Sequence, residues 1–147
     1  MTLKDQLNDA MKAAMKARDD LRLSTVRLVR ATVKNSEIDQ KRELDDQGVI
    51  EVISMLAKQR RESIRLYREG DRLDLATKEE AELAILLSFL PPQLTETEIS
   101  DLIIKAISET EAHSSKDLGR VMRALTPLIA GRADGKTVHA MVTRLLS

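Results

Sequence analysis

Phe89-Leu90-Pro91-Pro92-Gln93-Leu94-Thr95-Glu96-Thr97-Glu98 is the stretch that divides this chain. Two consecutive prolines cannot occupy a helix interior, because each lacks an N–H and its ring clashes with the preceding turn. Leu90 and Pro91, each followed by proline, are pushed towards extended backbone. Thr95 and Glu98 then have the spacing of a capping box, in which side chain and backbone satisfy each other's orphan groups at a helix start. One helix must therefore stop near Leu90 and another must start near Glu96. The expected architecture is all-α. A four-helix N-terminal domain (residues 1–90) is joined by a Pro-Pro hinge (91–95) to a small three-helix C-terminal domain (96–147).

Working back from the prolines, Leu83, Leu86, Leu87 and Leu90 form the packing stripe of a fourth helix capped by Asp74. A third helix buries Val49, Val52, Ile53, Leu56, Ile64 and Tyr67, follows the turn-prone Asp45-Asp46-Gln47-Gly48, and ends on Gly70 as a left-handed cap. Its outer side carries Lys58, Arg61, Arg65 and Arg68 as one basic ridge. A second helix, opened by Asp19 or Asp20, places Leu21, Thr25, Leu28, Val29, Thr32 and Val33 on one side, with Val26 at the margin. Arg27, Arg30, Lys34 and Lys41 share a narrow sector on its outside. The first helix starts at Thr2 with Asp5 and packs Leu3, Leu7, Ala10, Met11 and Ala14.

Beyond the prolines, Ile99, Leu102, Ile103, Ala106 and Ile107 repeat the helical spacing. Ser114 with Asp117 gives a further capping box ahead of Leu118, Val121, Met122, Leu125 and Ile129. Gly131 suits the position just past that helix, and Asp134 can cap a last one carrying Val138, Met141, Val142 and Leu145. Charge is sorted within this half. From Thr95 to Glu111 one base stands against five acids, whereas from Ala112 to Ser147 six bases stand against two. Those six, Lys116, Arg120, Arg123, Arg132, Lys136 and Arg144, are the candidate contacts for a phosphate backbone, with the Lys58–Arg68 ridge as a second patch.

Composition excludes more than it selects. The 147 residues hold 24 basic and 24 acidic side chains, so only the placement of charge can point to a partner. One Phe, one Tyr and no Trp argue against base stacking as a recognition device. With no cysteine there is no disulfide, thiolate metal site or cysteine nucleophile. No apolar run approaches the ~20 residues that span a bilayer, and the N-terminus lacks a signal peptide's apolar core. A cytoplasmic protein without membrane contact is expected. No catalytic constellation can be assembled. His113 and His139 stand in no metal-ligand spacing, and Glu79-Glu80 and Asp45-Asp46 read as helix-start acids. Gly131-Arg132-Ala133-Asp134-Gly135 lacks the strand and Lys-Ser signature of a nucleotide loop. The methionines read as core filler. No cofactor or metal is expected, and the chain is not expected to be an enzyme.

Several segments together resemble the YqeY-like family: Met11-Lys12-Ala13-Ala14-Met15-Lys16, Lys34-Asn35-Ser36-Glu37-Ile38-Asp39, Lys58-Gln59-Arg60-Arg61-Glu62-Ser63-Ile64, Phe89 to Leu94, Asp117-Leu118-Gly119-Arg120-Val121-Met122, and Gly131 to Gly135. That family is related to the tail domain of the B subunit of glutamine-dependent aspartyl/glutamyl-tRNA amidotransferase. The family usually has Tyr where this chain has Phe89, and the tail commonly has Asn-Pro where this chain has Asp134-Gly135. The resemblance implies an all-helical protein that binds tRNA or another structured RNA without catalysing anything. Any ligase activity with glutamine as amido donor would belong to the related complex. The alternative it implies is an interaction module that docks on an amidotransferase or another translation factor.

Overall fold

A computed structural model describes residues 1–147. It contains seven α-helices and no strand. Four fall in a compact unit spanning Met1–Pro91: α1 (Leu3–Ala17), α2 (Asp20–Gln40), α3 (Asp46–Glu69) and α4 (Leu73–Leu87). Three fall in a second unit, Pro92–Ser147: α5 (Glu96–Thr110), α6 (Leu118–Ile129), preceded by a 3-10 turn at Ser115–Asp117, and α7 (Gly135–Leu146). No helix is long and apolar enough to cross a membrane.

The helix starts follow local chemistry. Thr2 and Asp5, Thr95 and Glu98, and Ser114 and Asp117 each form a reciprocal capping box. Asp19 accepts from Arg22 N–H and Asp45 from Gly48 N–H, opening α2 and α3. The expected turn at 45–48 is thus mostly the first turn of α3. A Cβ on Gly48 would meet Leu44 Cδ2 at 3.0 Å, so glycine there lets Leu44 fold back into the core. Asp74 does not cap α4. The N-cap position is Arg72, which makes no side-chain cap, and Asp74 pairs with Arg72 instead. Gly70 is not left-handed either, at φ −84°; the left-handed residue is Asp71, at φ 56°. Gly131, at φ 74°, takes the conformation expected of it just past α6.

In the first unit α1 packs on α2, α3 on α4 in the most extensive pairing, and α2 touches both α3 and α4. Its core comprises Leu3 and Leu7, Val26, Val29 and Val33, Leu44, Val49, Val52, Ile53 and Leu56, and Leu86, with Phe89 and Leu90 against it. The face of α2 is turned from the expected one. Val26 is fully buried, while Leu28 is 37% exposed. With α1, α3 and α4 all packed on α2, the direction of packing and not the apolar count selects the buried residues. Arg22 lies over the Phe89 ring, 5.6 Å from its centroid, which ties the end of α4 to α2.

One polar cluster joins α3 to α4. Arg60 Nε donates to Glu82 Oε2 at 2.8 Å and stands 3.0 Å from Glu79 Oε2. Glu79 and Glu80 are therefore not helix-start acids. They lie on the second turn of α4, facing α3, where Glu80 pairs with Arg68.

The second unit has its own core. Ile99, Ile103 and Ala106 of α5, Ala112 just after it, Val121, Leu125 and Ile129 of α6, and Val138, Met141, Val142 and Leu146 of α7 are buried together. Leu146 replaces the expected Leu145, which is 49% exposed. Both positions fit the helical spacing, and contact with α5 and α6 decides between them. Gln93 Nε2 and Leu94 N–H donate to the carbonyls of Gly131 and Arg132, pinning the extended segment ahead of α5 to the α6–α7 turn. Met141 is buried and Met11 and Met122 pack half-buried against the two cores, whereas Met15 and Met55 are exposed and do not fill the core.

Candidate nucleic-acid interface

The cations of the second unit divide by element. Arg120 and Arg123, three residues apart on α6, share one side of that helix, and Lys116 stands just ahead of them in the 3-10 turn. The side opposite holds the buried Val121, Leu125 and Ile129, so this ridge faces away from the core. Lys116 and Arg123 are exposed and carry no ion pair; Arg120 donates to Asp117 Oδ1 at 2.9 Å. The carboxyl of Asp117 is held below its ordinary value, first by the His113 N–H, then by that of Ser114 and the charge of Arg120. Arg132 is half-buried in the α6–α7 turn and acts on Glu98, whose carboxyl is lowered mainly by the Thr95 N–H and in part by Arg132. Lys136 and Arg144 are exposed about two turns apart on α7. Three of the six candidates thus form a ridge, one is in a turn beside an acid, and two belong to another helix.

The second basic ridge is largely offset by carboxylates. Lys58 is exposed and Arg61 half-buried. Arg65 is held between Glu62 and Glu69, which raise its already high pKa, the Glu62 hydrogen bond contributing most. Arg68 pairs with Glu80. Exposed ion pairs of this kind contribute little stability, yet they cancel most of the field a phosphate would feel.

A third cationic group forms where only the stripe on α2 was legible. Arg27, Arg30 and Lys34 of α2, with Lys4 of α1, rim a cleft of about 450 Å3 between the two helices. Leu7, Ala31 and Val33 supply apolar wall, and Asn8 a polar one. The single carboxylate there, Glu37, is already engaged. It pairs with Lys4 and accepts the Leu44 N–H at 2.7 Å, and these two bonds hold its carboxyl below the ordinary range, Lys4 more than Leu44. Arg30 Nη1 rests against Met11 Sδ at 2.9 Å. Arg27 and Lys34 are exposed and form no salt bridge, though the charge of Lys34 also helps to lower the Glu37 carboxyl. Lys4 is absent from any reading of α2 alone, because it joins the group only when α1 packs on α2.

His113 and His139 are both exposed, and no group of three or more His, Asp or Glu side chains is placed to hold a metal ion.

Comparison with known proteins matches residues 4–146 to the model of the family described as Yqey-like protein. Among individual relatives, "Altered inheritance of mitochondria protein 41, mitochondrial" of Kluyveromyces lactis is 32% identical over 136 residues, covering 90% of this chain and 69% of that protein. The protein of the same name from Lachancea thermotolerans is 36% identical over 106 residues, 70% of this chain and 57% of its own length. That from Vanderwaltozyma polyspora is 41% identical over 85 residues, 57% of this chain and 46% of its own length. The chain thus spans about half the length of these last two relatives, and the mitochondrial location in the names is theirs. With the family model covering nearly every residue described above, the chain belongs to the Yqey-like protein family.

Proposed function

We propose that this chain is a noncatalytic RNA-binding accessory protein of the cytoplasm, acting on tRNA or another structured RNA in connection with tRNA-dependent amidation. The observation that carries the reading is the outward ridge of Lys116, Arg120 and Arg123, three cations along the 3-10 turn and α6 opposed by one carboxylate, Asp117. Without aromatic side chains to stack bases, such a ridge reads phosphate position and helix shape, not sequence. Resemblance to the amidotransferase tail supports tRNA as the polyanion. In this reading Arg132, Lys136 and Arg144 extend the contact, residues 91–95 act as a hinge, and no cofactor, metal or membrane takes part.

The test is filter binding of total tRNA across a salt series, with the double reversal Lys116→Glu and Arg123→Glu. Both residues are exposed and unpaired, so the reversal strands no acid and the helical melt should match the parent. Binding should weaken, and the log–log salt slope should fall by roughly 0.7 to 0.9 for each phosphate no longer neutralised. Unchanged affinity and slope would remove the reading. A stoichiometric amidotransferase or translation-factor partner that survives nuclease treatment, with no tRNA bound, would favour the docking alternative instead.

A further inference from the structure

The cleft between α1 and α2 has the makings of a second anion site, in the unit the RNA reading leaves unused. Arg27, Arg30 and Lys34 recur at three and four residues along α2. The stretch from Arg27 to Lys34 covers roughly 10 Å of helix axis. The row stops at its lower end at Asp20, in the first turn of α2. Lys4 faces the row from across the cleft, with its charge offset by Glu37. Glu37, the acid within it, is occupied by Lys4 and the Leu44 N–H and feels the charge of Lys34, so Arg27 and Arg30 are left without an acidic partner.

Cations spread along a helix do not converge on one small anion. They suit a ligand whose charge repeats along a line. The apolar wall of Leu7, Ala31 and Val33 strengthens the match, because a predominantly cationic concavity with low-dielectric walls focuses the field and concentrates the counter-ion. No aromatic residue lines the cleft, so the bases of such a ligand would not be read by stacking.

We infer that the α1–α2 cleft is a binding track for a phosphodiester backbone, with Arg27, Arg30 and Lys34 contacting successive phosphates of an RNA strand. The inference rests on the RNA reading above and assigns the first unit a contact of its own. Arg27 and Lys34, both exposed, make the contact, and Arg30 lies between them along α2.

The experiment uses the full chain and fluorescein-labelled tRNA, with anisotropy measured over a salt series, for the parent, R27E/K34E, R27K/K34R and K116E/R123E. R27E/K34E should bind about tenfold or more weakly at low salt and lose roughly 1.4 to 1.8 from the salt slope, two phosphates' worth. R27K/K34R keeps both charges and should bind like the parent. Circular dichroism melts of R27K/K34R and the parent should coincide, and that of R27E/K34E should stay within a few degrees of them, since it loses no salt bridge and only sets one like charge a turn from Glu37. If R27E/K34E binds as the parent does while K116E/R123E is impaired, the track is refuted and the RNA reading stands. If the parent binds no tRNA, both fail. If R27E/K34E loses attachment only to vesicles of anionic phospholipid, run in parallel, the site is a membrane contact and the inference is overturned.

Discussion

Removing the guanidinium that joins α3 to α4 should expose how much of the first unit depends on one polar contact. The side chains of Arg60, Glu79 and Glu82 are only 18%, 19% and 13% exposed, and the two carboxylates lie 3.0 and 2.8 Å from the same Nε. At an effective dielectric of about 20, each contact has a gross Coulomb energy on the order of 5 kcal/mol, most of it offset by desolvation. Arg60→Met retains an apolar stem of similar reach but leaves two carboxylates facing each other without a counter-charge. Stranding a fully buried charge costs roughly 3–5 kcal/mol, while an exposed pair contributes at most about 1 kcal/mol. A cluster this enclosed, with some water access, should cost about 2–3 kcal/mol to break, between those two limits. For a unit of this size that is a fall in Tm on the order of 10 °C or more. Tyr67 is the only tyrosine and there is no tryptophan, so urea unfolding followed by its fluorescence reports on α3 specifically. Adding Glu79→Gln and Glu82→Gln to Arg60→Met should return much of the stability, because the neutral set has no stranded charge. A drop below about 0.5 kcal/mol for Arg60→Met, no more than an exposed pair would give, or no recovery in the triple variant, would refute the reasoning.

Two further outcomes are expected. Leu125 is fully buried at the centre of the second core. Leu125→Ala should cost about 2–5 kcal/mol, comparable with the whole stability of a unit of this size. Part of the helical circular dichroism should then melt early while the Tyr67 transition stays in place, and a single transition at the parental temperature would contradict this. Glu98 has a folded-state carboxyl held below its ordinary value of 4.5 by the Thr95 N–H. Its stabilising contribution is therefore present above that pH and disappears as pH falls through the lowered value. Thermal melts of Glu98→Gln and parent should differ near neutrality and converge in acid; a constant gap across the series would show that the cap is not the cause.

The helix starts were legible because capping is local. A Thr or Ser and an acid three residues on satisfy orphan N–H groups whatever the rest of the chain does, as at Thr2, Thr95 and Ser114. Where a competing local partner exists, the same logic misleads. Asp74 has an arginine two residues before it and pairs with that in place of the helix end. Gly70 could have taken the left-handed turn, but Asp71 takes it one residue later. The candidate site was less legible. The ridge at Lys116, Arg120 and Arg123 follows from spacing within one helix and the turn just ahead of it. The Lys58–Arg68 ridge also has that spacing, yet its charge is largely cancelled by Glu62 and Glu69 on the same helix and Glu80 on the next.

By itself, then, the sequence determined the all-helical class, most of the caps and the apolar side of each helix to within a residue or two, since each depends on neighbours three or four positions away. Only the tertiary structure decided that Val26 and not Leu28 is buried, that Leu146 displaces Leu145, and that Lys4 closes a cationic cleft with Arg27, Arg30 and Lys34. The physical reason is common to all three. Burial and electrostatic field depend on which helix packs against which side, and periodicity along one helix carries no information about its neighbour.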